Sequence, residues 1–364
     1  MKKSIPLPML ILLLSVCIPV LAYAAPPSFP TPSQIVTTGK GYWETPMNIQ
    51  DTRAVWEMLM SPITVVKGHQ RSQQVLYSQP DSTSEPVGDV TRDSQGLHVL
   101  ETRADGWSLV ETYSSSFHDS KIRAWNQLVQ GYIRTDMLET VTPKGKYALL
   151  VDKLDQRLYI FVDGELYDVL VVSTGLPNER QPYNETRSGE FLLVSAVGGF
   201  EVEGLNVAMG LRFNWGDILH EVPHSLRGGA KNYQQYEEVL GQRASHGCIR
   251  VQRKRTPKGT NMTWIWNALR KRIGTKLVIW EDLPGRQLLY PDPDTPLYYN
   301  PEGGKNYHAA EACYGVCDEY EPMTMFTYGE LGTGNYSNLT ACPYCVPPRT
   351  IEEVDAINEA HKLP

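Results

Sequence analysis

Asp163-Gly164 separates two runs of aliphatic, aromatic and β-branched residues, Arg157–Val162 and Leu166–Ser173. An Asp-Gly pair accepts the positive φ angles of a two-residue hairpin turn, so the two runs must lie antiparallel. Tyr147–Asp152 precedes them as a third run of the same character. This stretch is therefore committed to a β-meander. Phe191–Ala196, Val207–Phe213 and Lys276–Trp280 read as further strands, and Asp217–His220 as a short edge strand leading into a loop. Residues 221–244 are polar and irregular, with one or two helical turns over Tyr233–Leu240, and Trp264–Arg272 reads as the one helix. Residues 146–282 thus form a mostly β domain with a helix near its end, long enough to hold its own core.

Upstream, residues 61–140 alternate short strands with turns. Ile63–Val66, Gln74–Tyr77, Leu97–Glu101, Trp107–Glu111 and Gly131–Arg134 are the strands, separated by Gln79-Pro80-Asp81, Ser94-Gln95-Gly96 and Asp105-Gly106. Five short strands at this spacing suggest a small barrel. Gly106-Trp107-Ser108-Leu109-Val110 and the closing Gly131-Tyr132-Ile133 resemble bacterial SH3-like domains, which implies either wall binding or a packing role. Residues 25–60 form a lead-in: 25–40 are rich in Pro, Ser and Thr, and 41–60, with Trp43, Trp56 and Met58, read as a short helical segment.

The first residues carry an address. Met1-Lys2-Lys3, an apolar run from Met9 to Leu21 and Ala22-Tyr23-Ala24 have the form of a secretory signal, residues 1–24, cleaved after Ala24. The apolar run is shorter than the ~20 residues a membrane span needs, so no stable span is expected after cleavage. The expected location is extracytoplasmic: secreted, in the cell wall or periplasm. The formal charge is −7, from 34 basic and 41 acidic residues, with no basic block, which argues against a nucleic-acid partner. With 20 Tyr, 8 Trp and 7 Phe, the chain has ample material for a core and is not a disordered polymer.

Secretion alters the meaning of six cysteines. Cys17 leaves with the signal. Cys313, Cys317, Cys342 and Cys345 cluster near the C-terminus, and Cys248 stands alone. It lies in Ala244-Ser245-His246-Gly247-Cys248-Ile249-Arg250-Val251. A thiol attacks as thiolate and needs an imidazole or an electropositive turn beside it. The glycine before it permits a tight turn that can aim N–H groups at one point. His220 and His224 lie upstream as partners. A papain-like protease would place Cys before His, the reverse of the order here.

This segment resembles the nucleophile motif of the YkuD-type L,D-transpeptidases, Ser/Thr-His-Gly-Cys followed by a hydrophobic residue and Asn or Arg. The resemblance spans residues 146–282. It includes the opening hairpin (Val151-Asp152 and Gln156-Arg157-Leu158-Tyr159), Ser173-Thr174-Gly175, and Ser188-Gly189-Glu190-Phe191 in place of the family's Thr-Pro-x-Gly-x-Phe. The fold it implies is mainly β: a small SH3-like barrel, then a β-sandwich-like L,D-transpeptidase catalytic domain with one helix, then a small Cys-rich module.

The resemblance also implies roles. Cys248 would be the nucleophile that takes an acyl group from a tetrapeptide stem of peptidoglycan. Ile218-Leu219-His220-Glu221-Val222-Pro223 is similar to the family's segment bearing the general base, which points to His220, with His224 as the alternative base. With His220, 24 residues separate the base from Ser245, several more than the common pattern. The Glu221 carbonyl would orient the base. Gly247 and Cys248 N–H groups would make the oxyanion hole, His246 and Ser245 would shape the turn, and Arg250 would support the site or meet substrate carboxylates. Attack by a second stem's amine gives a 3→3 cross-link. Water as acceptor gives an L,D-carboxypeptidase, and loss of chemistry would leave a wall-binding scaffold. The implied catalysis needs no cofactor.

Residues 283–297, rich in Pro and Asp, read as a linker. In the module at 298–350, Cys313-x3-Cys317 and Cys342-x2-Cys345 could hold a structural Zn²⁺, as could His308 with Cys313, Cys342 and Cys345. Two disulfides are the equal alternative in an oxidising compartment. So small a module needs staples of one kind or the other.

Overall fold

A computed structural model describes residues 40–363. The signal segment 1–24, Cys17 and the Pro/Ser/Thr-rich start of the lead-in lie outside them. A single helix of the lead-in is formed, α1 (Thr52–Met60), capped by the Asp51 carboxylate accepting from the Ala54 N–H at 3.0 Å. It buries Val55, Trp56, Met58 and Leu59.

Seven strands follow: β1 (Ile63–Val66), β2 (Gln73–Tyr77), β3 (Pro86–Thr91), β4 (His98–Thr102), β5 (Trp107–Ser115), β6 (Trp125–Arg134) and β7 (Leu138–Val141). All five expected strands are present. Their pairing differs, because β1 leaves the set and pairs with β7. The five-stranded sheet has the order β3-β2-β6-β5-β4. Its β3, around Val87-Gly88-Asp89-Val90, escapes a pattern reading because a glycine and an aspartate interrupt the alternation. Gly88 is required there, since a Cβ would fall 2.9 Å from Val129 on the facing strand.

The next domain holds β8 (Tyr147–Asp152), β9 (Arg157–Val162), β10 (Glu165–Ser173), β11 (Gly189–Leu192), β12 (Ser195–Val202), β13 (Leu205–Arg212) and β14 (Ile218–Glu221). After these come a small hairpin, β15 (Ser225–Arg227) and β16 (Ala230–Asn232), the short α2 (Gln234–Glu237), β17 (Ile249–Val251), α3 (Met262–Leu269) and β18 (Lys276–Trp280). The Asp163-Gly164 turn closes β9 on β10 as expected, with φ of 50° and 100°. Nine strands form one sheet, β11-β18-β8-β9-β10-β17-β14-β13-β12. Two readings need correcting. Asp217–His220 is not an edge: β14 lies between β13 and β17. Phe191–Ala196 is not one strand: it breaks at Leu193-Val194, and the second half runs on through Gly198-Gly199 to Val202. Glycines hide that extension, and the register of β12 on β13 shifts there.

Both faces of the β8–β10 meander are covered, which is why its strands are almost continuously apolar. Leu149, Val151, Leu158, Ile160 and Leu170 enter a core closed by Met262, Ile265 and Leu269 of α3. Ala148, Leu150 and Phe161 on the other face meet Val55, Trp56 and Leu59 of α1. Lys276 is fully buried between these parts. Its ammonium pairs with Glu190 at 2.7 Å and donates to the Met58 carbonyl at 3.0 Å and the Ser61 carbonyl at 3.1 Å. One cation thus satisfies carbonyls left over at the C-terminus of α1.

The chain ends in β19 (Pro296–Tyr299), β20 (Asn306–His308), β21 (Thr324–Thr327), β22 (Thr340–Ala341) and α4 (Ile351–Ala360). The four strands make a sheet of order β21-β19-β20-β22. Helix α4 was not anticipated, although Thr350 and Glu353 form a capping box in sequence and in structure. Among the described residues, no helix is long and apolar enough to cross a membrane.

Candidate active site

Strand β17 is short, but it lies between two strands that matter. It runs antiparallel to β10, with Ser173 opposite Arg250, and parallel to β14, with His220 opposite Arg250. Directly opposed residues share a face of a sheet. Ser173, Arg250 and His220 therefore form one row across three strands. Leu219 and Ile249, one residue off that row, point into the main core. Cys248 immediately precedes β17, and its thiol meets the Ile218 backbone in β14, two residues before His220.

The turn before Cys248 is tied at Ala244, Ser245 and Gly247. Ala244 and Ser245 N–H groups donate to the Thr174 carbonyl at 2.8 and 3.0 Å, and Leu176 N–H donates to the Ser245 carbonyl at 2.9 Å. Ser245 Oγ donates to the Cys248 carbonyl at 2.5 Å and accepts from the Gly247 N–H at 3.2 Å. That N–H is held inside the turn in this state. Thr186 Oγ1 donates to the Gly247 carbonyl at 2.7 Å and accepts the Gly175 N–H at 2.8 Å. Ser173-Thr174-Gly175 and the Thr186 segment thus clamp the nucleophile turn from both sides. His246 is the exposed side chain of the motif.

Gly247 sits at φ 116°, and a Cβ there would fall 2.7 Å from Asp217 Oδ1. Gly247→Ala combines left-handed strain with a collision against a buried carboxylate, so the turn must shift. Displacement of the thiol by about an ångström costs on the order of 10²-fold in rate. We expect Gly247→Ala to fold but to slow acylation of Cys248 by about that factor, read by stopped-flow or mass-resolved adduct formation.

Beneath Gly247 lies a pair that the sequence did not flag. Arg187 and Asp217 are both buried and 3.3 Å apart. Arg187 also donates to the Ser116 carbonyl at 2.6 Å and the Glu185 carbonyl at 2.9 Å, and its guanidinium lies 4.0 Å from the Phe117 ring centroid. Ser116 and Phe117 follow β5, so a segment leaving the five-stranded sheet props the floor of the site. Asn214 Nδ2 donates to Asp217 Oδ2 at 3.2 Å and to Ser115 Oγ at 3.1 Å, and the Ser188 N–H donates to Asn126 Oδ1 at 2.6 Å. No local periodicity announces these residues, since each is defined by a partner distant in sequence.

His220 is buried, and its Nδ1 lies 2.6 Å from the Glu221 carbonyl. A carbonyl can only accept, so Nδ1 carries the proton and Nε2 presents a lone pair. The Phe200 ring packs edge-on at 6.1 Å. Burial pushes the imidazole down to about 4; Arg250 adds to the depression and the Glu221 hydrogen bond opposes it. Cys248 is half-buried. Burial pushes its thiol up to about 12 and Asp217 reinforces this, against an Ile218 backbone hydrogen bond and the Arg250 and Arg212 guanidiniums. Both shifts favour the neutral forms of thiol and imidazole, while the Arg250 and Arg212 guanidiniums favour negative charge on the sulfur.

His224 is placed elsewhere. Its backbone bridges to Asn206, and its ring lies against Tyr233 at 4.8 Å. The 24-residue segment between His220 and Ser245 contains the β15–β16 hairpin and α2. Its Tyr236 ring centroid lies 5.7 Å from the Arg250 guanidinium. Ser173 Oγ donates to the Val239 carbonyl at 2.8 Å, pinning its far end.

The depressed His220 fixes a sign for stability. The unfolded imidazole titrates near 6.5 and the folded one near 4, so the unfolded state binds more protons between those values. Stability is full above 6.5 and falls as pH drops through this window, by about 3 kcal/mol in total. Denaturant midpoints across the window should show this slope in the wild type and lose most of it in His220→Asn; equal slopes in both would refute the assignment.

A thiol, a tautomer-fixed imidazole and two guanidiniums thus lie on or beside adjoining strands of one sheet. Residues 146–279 match the family model of the YkuD L,D-transpeptidase catalytic domain, and the chain carries such a domain there. Among solved structures, the chain is similar to an L,D-transpeptidase from Xylanimonas cellulosilytica at 20% identity, covering 37% of this chain and 60% of that one with a TM-score of 0.27. It is also similar to an L,D-transpeptidase from Mycobacterium smegmatis at 14% identity, covering 61% and 92% with a TM-score of 0.29. The catalytic domain of the E. faecium L,D-transpeptidase is similar at 18% identity, covering 37% and 97% with a TM-score of 0.26. Comparison with curated proteins gave no match.

The C-terminal candidates separate. His308, Cys313, Cys342 and Cys345 are buried together, whereas Cys317 is exposed. Cys317 is thus not a ligand of this cluster, and neither the Cys313-x3-Cys317 metal set nor a pair of disulfides using all four cysteines matches this arrangement.

Proposed function

We propose that the chain is an extracytoplasmic L,D-transpeptidase that builds 3→3 cross-links in peptidoglycan through a Cys248 thioester. The observation that carries this reading is the row formed by His220, Arg250 and Ser173 beside Cys248, within the stretch that matches the family model. Cys248 Sγ attacks the carbonyl of the third stem residue while His220 Nε2 takes the thiol proton. The same proton then passes to the departing D-Ala amine as the tetrahedral intermediate collapses. Arg250 and Arg212 stabilise negative charge on the sulfur, and the Cys248 N–H is the oxyanion donor, since the Gly247 N–H is taken by Ser245 Oγ. A side-chain amine of a second stem then attacks the thioester and regenerates the thiol; water in its place would give the L,D-carboxypeptidase.

His220 is the proposed base because the Glu221 carbonyl fixes its tautomer and Arg250 links it to Cys248. His246, exposed at the mouth, would meet substrate. The strands of residues 61–140 would act as an SH3-like domain that both supports the site floor and presents a wall-binding face. The signal segment 1–24 would deliver the protein to the wall.

The test is intact mass after mixing the mature chain with a carbapenem or a tetrapeptide donor, beside Cys248→Ala. One covalent adduct on the wild type and none on the variant is the expected result. No adduct on a folded, reduced sample would overturn the catalytic reading in favour of a wall-binding scaffold.

A further inference from the structure

We infer that the C-terminal module is a structural zinc site, with His308 Nδ1 and the thiolates of Cys313, Cys342 and Cys345 as the four ligands of one Zn²⁺. The fold brings the ligands together by register. β20 and β22 pair in parallel, Asn306 with Thr340 and Tyr307 with Ala341, so His308 and Cys342 follow as the next opposed positions. Cys342 N–H donates to the Tyr307 carbonyl at 3.0 Å and extends that pairing.

The ligand atoms all lie within 4.8 Å of one another, and all four residues are buried. Cys313 Sγ and Cys342 Sγ are 3.7 Å apart, and Cys345 Sγ and His308 Nδ1 are 3.6 Å apart. A zinc tetrahedron with its usual bond lengths has S···S edges of about 3.8 Å and S···N edges of about 3.6 Å. Sulfurs joined in a disulfide would be about 2.0 Å apart. Three thiols and an imidazole are also the wrong inventory for disulfides, since one bridge would leave a third buried thiol unpaired while Cys317 stays outside.

Backbone groups are aimed at the sulfurs as they would be at thiolates. Ala309 N–H donates to Cys345 Sγ at 3.3 Å, and Tyr344 N–H to Cys342 Sγ at 3.4 Å. The chain closes over the cluster at Gly315, where a Cβ would lie 3.2 Å from Cys342 Sγ and 3.2 Å from the Tyr344 ring. Four protein ligands without an open position, three of them soft sulfur, select zinc over oxygen-seeking cations and mark a structural centre. The centre staples a module whose apolar core is small, with Leu297, Tyr307, Phe326, Tyr328 and Leu331 at its heart. It also places Tyr344 under Lys254, whose ammonium is 5.0 Å from the ring centroid, while Arg349 pairs with Asp155 at 2.6 Å. The stapled turn is thereby held against the catalytic domain.

The test uses the mature full-length chain, purified without chelator, with metal content and native mass measured together. One zinc per chain is expected, with the cluster thiols protected from alkylation. Cobalt exchange should produce intense tetrahedral d–d bands and thiolate-to-cobalt charge transfer. Cys317→Ser should keep one equivalent of zinc. His308→Cys preserves a four-ligand site, so it should also keep the metal while shifting the cobalt bands to lower energy. A metal-free chain with oxidised or freely alkylated cysteines that takes up no added zinc would overturn the inference. So would a different metal at full occupancy, or an unchanged cobalt spectrum in His308→Cys.

Discussion

Replacement of Cys248 by alanine is expected to abolish the acyl adduct and to lower D-Ala release from a tetrapeptide donor by at least about 10⁴-fold, the scale on which loss of a nucleophile acts. Among the described residues, Cys248 is the one cysteine outside the C-terminal module, and it adjoins the strand that carries Arg250. Burial and Asp217 hold the thiol up at about 12, so the free enzyme carries almost no thiolate near neutrality. On the proposed mechanism, attack would be coupled to proton transfer to His220. That predicts a graded series in single-turnover assays. Cys248→Ala should be inert and Cys248→Ser nearly so. His220→Asn, which can still donate to the Glu221 carbonyl, should lose about 10²- to 10⁴-fold as expected for a general base. His224→Asn should remain within a few-fold of wild type. An inactive His224→Asn beside an active His220→Asn would reverse the choice of base.

The second large effect concerns stability. Arg187→Met should cost about 3–5 kcal/mol, because it leaves the Asp217 carboxylate buried without its cation. The loss includes the 2.6 Å bond to the Ser116 carbonyl and the contact with Phe117, which itself packs on Trp215 at 4.8 Å. A double variant, Arg187→Met with Asp217→Asn, removes both charges and should be less destabilised than the sum of the single changes. Urea unfolding of the four proteins measures this coupling; strict additivity would mean that the pair does not act as a unit. The same variants should alter alkylation of Cys248, since Asp217 contributes to holding its thiol neutral.

Much of this molecule is legible without coordinates. The Asp163-Gly164 turn, the apolar runs around it and the lone cysteine in Ser245-His246-Gly247-Cys248 are local signals, and each depends on backbone preferences or side-chain chemistry that a few adjacent residues express. They led to the meander and the candidate nucleophile, and the helix read at Trp264–Arg272 forms at Met262–Leu269. The placement of Glu221 after His220 is local as well, and the carbonyl is found on the ring nitrogen. Where alternation is broken by glycine or by a buried charge, local reading fails. β3, the Gly198-Gly199 extension of β12 and the position of β14 inside the sheet are the cases here.

Sequence alone determined most of the strand-forming segments, the turn chemistry and the candidate reactive groups, because these depend on neighbours one to four residues away. Tertiary structure decided which groups meet. It set His220 opposite Arg250 and left His224 on Tyr233. It placed Arg187 and Asp217 under Gly247 with support from Ser116, and it drew His308 to three cysteines while leaving the fourth in solvent. Such pairings join positions tens of residues apart, and only burial in one shared core, where a buried polar group without a partner is costly, selects them from the many that the sequence permits.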